Sequence, residues 1–422
     1  MRLSALLLFK VIVCGCGHFD SSSTVETRSV PQPTTSTTAV TVSLPNPVDP
    51  ELPEDGSATA IDAVAETPQE PENSEEVTRL LDEMQQLRIA PARTELEQAK
   101  QDRRERNQNI VQMATRALQL TVDRESKQTH FNQAVEHLLE ARFQLALNGA
   151  KEDIDQLYAD VQALNDRNPM SEAAAEGVYY LARFAHTKAR LVERSSLMWL
   201  QNFSRLAREF ADRFPHQEQR AVSLLFGAGR SCEVHAAVSQ KETDVKRLMT
   251  EAELCYRTLA NKFGETSQGH EAAAVLRRLS LPGRKISQFA GPTLSGNYVD
   301  CENFRDQVTV IYFWDSENTE FQQNMLPLLL QANEVSSNRL RFVGVNLDED
   351  ESLARAFQKH ETLPGEQIFF AEQDRRSWNS PLIRFWGVSR CPSVWLVDRE
   401  GTVSAVDVGA SQLVQQMRKL FE

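Results

Sequence analysis

The chain has 422 residues, of which 41% are hydrophobic and 25% charged, and its formal net charge is −13. That length predicts two or three domains rather than one. The acidic balance argues against nucleic acid as a partner, because phosphate contacts need clustered Lys and Arg; beyond that it bears mainly on solubility.

At the N-terminus, Arg2 precedes an apolar run over residues 3–13 that is interrupted by Lys10, and Gly15-Cys16 follows. A positive start followed by an apolar stretch too short to span a bilayer predicts an export signal over residues 1–16. The run Val13-Cys14-Gly15-Cys16 resembles a bacterial lipobox. The resemblance implies lipidation of Cys16, anchoring to a membrane by acyl chains and a place in the cell envelope. A plain signal peptide and an uncleaved anchor are the alternatives. Residues 17–73 are rich in Ser, Thr, Pro and acid, with Pro31, Pro33, Pro45, Pro47, Pro50 and Pro53 and no apolar periodicity. Such a segment buries too little surface to offset its chain entropy, and it reads as a disordered tether.

Residues 74–283 carry helical periodicity. Leu80, Leu81, Met84 and Leu87 recur at three- and four-residue steps before Pro91, and Ile110, Met113, Ala117 and Leu120 stripe the charged stretch 94–121. The stripe suits a long amphipathic helix on the body or a coiled-coil-like arm. Three polar turns then repeat: Asn165-Asp166-Arg167-Asn168-Pro169, Ala211-Asp212-Arg213-Phe214-Pro215 and Ala260-Asn261-Lys262-Phe263-Gly264. Each ends one helix and opens another rich in small residues. The pattern resembles tetratricopeptide-like helical hairpins, spaced more widely than the ~34 residues of that repeat; an ordinary helical bundle is the alternative. Cys232 and Cys255 lie almost equidistant from a turn at residues 241–244, so an antiparallel hairpin brings them level. A disulfide formed after export and two small buried residues both remain open. No Cys/His spacing suits zinc, and no CxxC is present, so neither a metal nor another cofactor is expected.

Beyond Pro282-Gly283 the period changes. Residues 308–313, 340–345, 394–397 and 403–408 read as strands, and 320–335, 352–360 and 411–420 as helices, with the last two strands turning at Glu400-Gly401. Alternation of this kind predicts an α/β unit over residues 284–422. The fold class is therefore multidomain: an all-α helical-hairpin region followed by an α/β domain. The acidic run 348–351 lacks the spacing of a calcium loop and reads as a solvated strand-to-helix connection. Trp378, Trp386 and Trp395 suit packing, and no GxxxxGK[ST], HExxH or GxSxG motif occurs.

Two stretches of this unit carry a resemblance. Residues 308–314, followed by a loop and a helix with Met325 and Pro327, resemble the strand, redox loop and helix of thioredoxins. Residues 386–401, with Cys391-Pro392-Ser393 at their centre, resemble that family's cis-proline loop, next strand and acidic turn. Gly296-Asn297-Tyr298-Val299 and the segment 343–350 are similar to the TlpA/ResA-like redoxin branch, whose members are membrane-tethered thiol–disulfide oxidoreductases. The resemblance implies a thioredoxin fold with an attacking cysteine at Asn318 and a resolving cysteine at Phe321, and neither residue can form a disulfide. Tyr312 stands where the family often has a buried acid. Pro392 is the expected cis-proline, and Cys391, directly before it, faces the altered loop. Asp315, Glu317 and Glu320 make the helix start acidic, which raises the pKa of a nearby thiol. The expected function is non-catalytic binding of a protein or extended peptide by an anchored module or scaffold. The alternative is an atypical thiol enzyme using Cys391, so whether the chain is an enzyme stays open.

Overall fold

The computed structural model describes residues 70–91, 95–191, 196–336 and 339–421. The expected signal, the lipid-attachment Cys16 and the tether up to residue 69 lie outside the described residues. The last tether positions are corrected: they form the first turn of α1 (Glu70–Ile89). Pro71 suits a first turn, where its missing N–H has no intrahelical role.

Eight further helices follow before residue 280 among the described residues: α2 (Leu96–Thr121), α3 (Gln128–Leu147), α4 (Lys151–Arg167), α5 (Glu172–Leu191), α6 (Ser196–Arg213), α7 (Glu218–Val238), α8 (Glu242–Lys262) and α9 (Ser267–Leu279). None of the described helices is long and apolar enough to cross a membrane. Short connections make neighbours antiparallel. α2 is a body helix, with Ile110, Ala114 and Ala117 buried against α1 and α3. The three polar turns end α4, α6 and α8 and open α5, α7 and α9, as their composition predicts. At the last of them Thr266 caps α9 by accepting a hydrogen bond from the Gly269 N–H at 3.0 Å.

Equivalent positions of successive hairpins touch. Arg213 donates to Asn165 at 2.7 Å, Gln217 donates to Glu172 at 2.6 Å and Arg220 pairs with Glu176, the partners lying 44 to 48 residues apart. That offset follows from helix length, since α3 to α8 run to 17–21 residues each. Small residues let the hairpins close: a Cβ at Gly229 on α7 would lie 2.7 Å from Cζ of Tyr256 on α8. Cys232 and Cys255 are buried in this core as free thiols rather than as the disulfide the hairpin allowed. The Cys255 sulfur instead lies 3.1 Å from the Ser204 hydroxyl.

The α/β unit is built on a five-stranded sheet of order β5-β4-β3-β6-β7. Its strands are β3 (Val308–Trp314), β4 (Leu340–Asn346), β5 (Glu366–Ile368), β6 (Ser393–Val397) and β7 (Val403–Val408). β3 runs parallel to β4 and antiparallel to β6. All seven residues of β3 are buried, as a central strand covered on both faces requires. Ile311 and Phe313 join Phe289, Trp386 and Trp395 on one face; Val310, Tyr312 and Trp314 join Phe321, Leu329 and Leu413 on the other. The helices are a π turn (Phe321–Met325) leading into α10 (Leu326–Ser336), α11 (Glu351–His360), α12 (Pro381–Trp386) and α13 (Ala410–Arg418).

Each sheet edge is partly covered, which shortens the exposed ladder that an edge strand presents. A short antiparallel pair, β1 (Ala290–Pro292) with β2 (Tyr298–Asp300), lies beside β5, where Phe369 N–H donates to Pro292 O at 2.9 Å. On the other edge the linker after α9 runs along β7: Gly283 N–H donates to Val403 O and Val403 N–H to Arg284 O, each at 2.8 Å.

Candidate functional site

The residues singled out at the redox-loop positions come together. The Cys391–Pro392 peptide is cis, and the loop that carries it faces the start of the π turn and α10. Asn318 joins the two sides. Its Nδ2 donates to Cys391 O at 3.2 Å, and its Oδ1 accepts from Phe321 N–H at 2.9 Å. One side chain thus caps the helical segment and holds the cis-proline loop. Phe321 does not face the cleft. It is fully buried and stacks on Tyr312 and Trp314, with ring centroids 6.1 and 5.7 Å away.

Tyr312, buried on β3, belongs to a neutral network. Its hydroxyl donates to Pro364 O at 2.9 Å. Gln367 Nε2 donates to the Tyr312 hydroxyl at 2.7 Å, and Trp314 Nε1 donates to Gln367 Oε1 at 2.9 Å. Gln367 was not foreseen from the sequence, because β5 spans only three residues and shows no period. The acidic run 348–351 is also corrected. Asp348 is buried rather than solvated and accepts from Ser316 N–H at 2.8 Å, Ser316 Oγ at 2.9 Å and Asn346 Nδ2 at 2.8 Å. It thereby fixes the loop in front of the π turn; a carboxylate can be buried when its lone pairs are filled in this way. Asp350, two residues on, caps α11 by accepting from Ser352 N–H at 2.8 Å.

Cys391 is partly buried, and its sulfur lies 3.6 Å from Phe313 O, the geometry of a thiol donating its proton. Burial pushes its pKa well above the ordinary thiol value, and the charges of Asp315, Asp348 and Glu320 push the same way. Cys301 packs beside the Phe289 core and is also raised, chiefly by burial. Among the described residues no three His, Cys, Asp or Glu side chains gather as a metal centre requires.

The far side of the cis-proline loop meets the helical hairpins, and here charge is concentrated. Arg278 on α9 is 1% exposed. Its guanidinium donates to Glu233 at 2.6 Å and to Gly387 O at 3.0 Å, and it pairs with Asp407. Burial alone would raise the Glu233 carboxyl, but Arg278 first, then Arg230 and the Tyr256 hydroxyl, hold it below the ordinary value. Arg230 on α7 donates to Ser389 O at 3.0 Å. Gly387 has φ +59°, and a Cβ there would lie 2.4 Å from Val275 N of α9. Asp407 also has positive φ, +55°, and accepts from Ser393 Oγ at 3.0 Å. None of this junction is visible in the sequence, since its partners come from residues 230–278 and 387–407.

Residues 282–406 match the AhpC/TSA family, and no curated protein matches the chain. Similar solved structures include the thioredoxin domain of a thiol-disulfide oxidoreductase from Bacteroides vulgatus. That domain is 19% identical and covers 33% of this chain and 98% of its own, with a TM-score of 0.30. A thiol:disulfide interchange protein DsbE from Chlorobium tepidum is 24% identical over 33% of this chain and 98% of its own, with a TM-score of 0.29. A secreted disulfide oxidoreductase from Mycobacterium tuberculosis is 19% identical over 32% of this chain and 96% of its own, with a TM-score of 0.27. The C-terminal third of the chain, residues 282–406, is thus an AhpC/TSA-family redoxin domain of thioredoxin-like fold, preceded by a helical region.

Proposed function

We propose that this protein is a non-catalytic binding module or scaffold that takes a protein or an extended peptide. In this reading it is exported and held at a membrane of the cell envelope by a lipid on Cys16, with residues 17–69 as spacer. The export and anchoring part rests on the N-terminal sequence alone: Arg2, the apolar run and Gly15-Cys16.

The observation that carries the proposal is the Asn318 bridge. A dithiol site needs one sulfur at the helix start and a second to resolve the mixed disulfide. Here the first position makes one hydrogen bond across the cleft and one that caps its own helical segment, and the second is a core phenylalanine. The loop is built as a closed joint, and the surrounding fold is retained. Cys391 supports thiol chemistry poorly, because burial and three nearby acids keep it protonated.

The test is disulfide exchange by the mature protein on a fluorescent mixed-disulfide peptide in the presence of dithiothreitol. The expected rate equals that of dithiothreitol alone. A rate well above it that vanishes in Cys391→Ser would overturn the proposal and establish the thiol-enzyme reading.

A further inference from the structure

The helical region exposes seven large apolar side chains among the described residues, and four of them gather at one end of neighbouring hairpins. Leu191 ends α5, Met198 lies in the first turn of α6, and Val234 and Val238 lie at the end of α7; they are 62, 54, 50 and 76% exposed. Contacts between the helices put them level. The His186 ring on α5 stacks on Phe203 of α6, with centroids 4.7 Å apart. The two helices are antiparallel, so Leu191, five residues after His186, comes beside Met198, five before Phe203. His186 Nε2 also lies 3.4 Å from Ser231 Oγ on α7. α5 and α7 run parallel, since Glu176 meets Arg220 nearer their starts. Leu191 thus comes level with residue 236, between Val234 and Val238. Single exposed apolar residues are ordinary, but a cluster of them marks a contact surface.

Two observations narrow the occupant. On α7 the exposed apolar positions are Val234, Ala237 and Val238, a single turn, whereas a partner helix needs anchors spaced along a flank at i, i+3, i+4 and i+7. The charge beside the cluster is positive. Lys188 and Arg190 on α5 and Lys241, Lys246 and Arg247 at the start of α8 are accompanied there by two carboxylates, Glu242 and Asp244. Five cations and two acids leave a local +3 in a chain whose net charge is −13. Glu233, one residue before Val234, is turned to Arg278. Apolar side chains flanked by cations suit a lipid interface, where the first enter the acyl boundary and the second meet anionic headgroups.

We infer that the ends of α5 and α7, with the starts of α6 and α8, form a second membrane contact that takes the surface of a bilayer containing anionic lipid. This rests on the membrane reading above and deepens it: a single acyl chain binds only marginally, and a cationic patch supplies a second signal. Residues 17–69, at up to about 3.3 Å each, can span on the order of 170 Å between the lipid on Cys16 and Glu70, so the anchor leaves this end of the hairpins within reach of the bilayer.

The experiment is cosedimentation of the mature chain without its acyl group, residues 17–422, with vesicles of phosphatidylcholine alone or mixed with phosphatidylglycerol in about equal parts. Partition onto the mixed vesicles should be roughly tenfold higher or more. Leu191→Ser with Val238→Ser should lower it about tenfold, and Arg190→Gln with Lys241→Gln should remove most of the preference for the mixed vesicles. All four positions are exposed, so both variants should keep the melting temperature of the parent. Sedimentation with neither vesicle would overturn the inference. So would binding that is equal on the two vesicles, or unchanged in Leu191→Ser with Val238→Ser. Self-association without lipid that this variant abolishes would give the surface to a second copy of the chain instead. Labelling of Cys16 with radioactive palmitate in cells tests the anchor separately: label without vesicle binding would keep the anchor and remove the second contact, and vesicle binding without label would do the reverse.

Discussion

The two sides of the cis-proline loop solve opposite problems. On the redox-loop side, positions that carry reactive groups in the redoxin family hold neutral ones: Asn318 bridges, Phe321 packs, and Tyr312 and Gln367 bond to each other. On the junction side, Arg278, Glu233 and Asp407 are drawn out of water and paired. A buried ion cluster adds little net stability over apolar packing, but it is unforgiving of the loss of one member. The redox-loop side is thus held by neutral hydrogen bonds and ring stacking, and the junction side by paired charges.

Breaking either side at its centre should have the largest effects. Arg278→Met leaves the part-buried Asp407 without its cation and Glu233 with Arg230 and the Tyr256 hydroxyl only, and a loss of about 3 kcal/mol is expected by urea unfolding. Adding Glu233→Gln and Asp407→Asn should recover part of it; no recovery would mean that the ion cluster is not the reason. On the other side, Phe321→Ala removes a buried ring from the Tyr312–Trp314 stack and should cost about 3–5 kcal/mol, with no gain in thiol reactivity. Gly387→Ala places a methyl against the backbone of α9 at a left-handed position, a strain of about 1–3 kcal/mol. It should also speed proteolysis in residues 280–287, and unchanged cleavage would sink the claim that Gly387 seats the junction.

A smaller effect is expected at the bridge. Asn318→Ala loses a helix cap, at about 1 kcal/mol, and frees the carbonyl of Cys391, so alkylation of Cys391 should quicken; a rate equal to the parent's would deny the bridge its role. The smallest effects are those of pH. Burial holds His186 down to about 4, with further lowering from Arg190 and His235. The unfolded chain then binds more protons than the folded one, so stability should fall as pH drops from about 6.5 toward 4. At the alkaline end burial raises Cys255 to about 11. The unfolded thiol ionises first there, and stability should decline as pH rises above about 8.5. Melting temperatures of His186→Phe and Cys255→Ala across these windows check both signs: each variant should make its own limb shallower, the remainder belonging to His137 at the acid end and Cys232 at the alkaline end, which are shifted the same way.

Much of the architecture was legible. β3, β4, β6 and β7 stand where apolar runs of β-branched residues placed them, and the polar turns at Arg167, Arg213 and Lys262 separate helices as their composition required. The cis peptide at Pro392 and the closeness of Asn318 to Cys391 were readable because the segments around them keep the family pattern. The rest depended on distant partners. Residues 348–351 read as a charged, solvated run, yet Asp348 is buried because Ser316 and Asn346 supply its donors. Arg278 has nothing local to mark it, since its acids are 45 residues before it and at Asp407. Gln367 sits on a strand too short for any alternation to show.

The 44-to-48-residue offset of the links between hairpins bears on how such an array can grow. Duplicating the hairpin α6–α7 as a whole would repeat the Arg213, Gln217 and Arg220 side of this interface in register. An insertion of a few residues inside a helix would slip several links at once. Growth by copying is nevertheless closed at one end. The face of α9 that a next unit would need is committed, through Arg277 and Arg278, to Phe385, Gly387 and Asp407 of the redoxin domain. The redoxin fold thus acts as a stop codon written in tertiary structure, closing the array after α9.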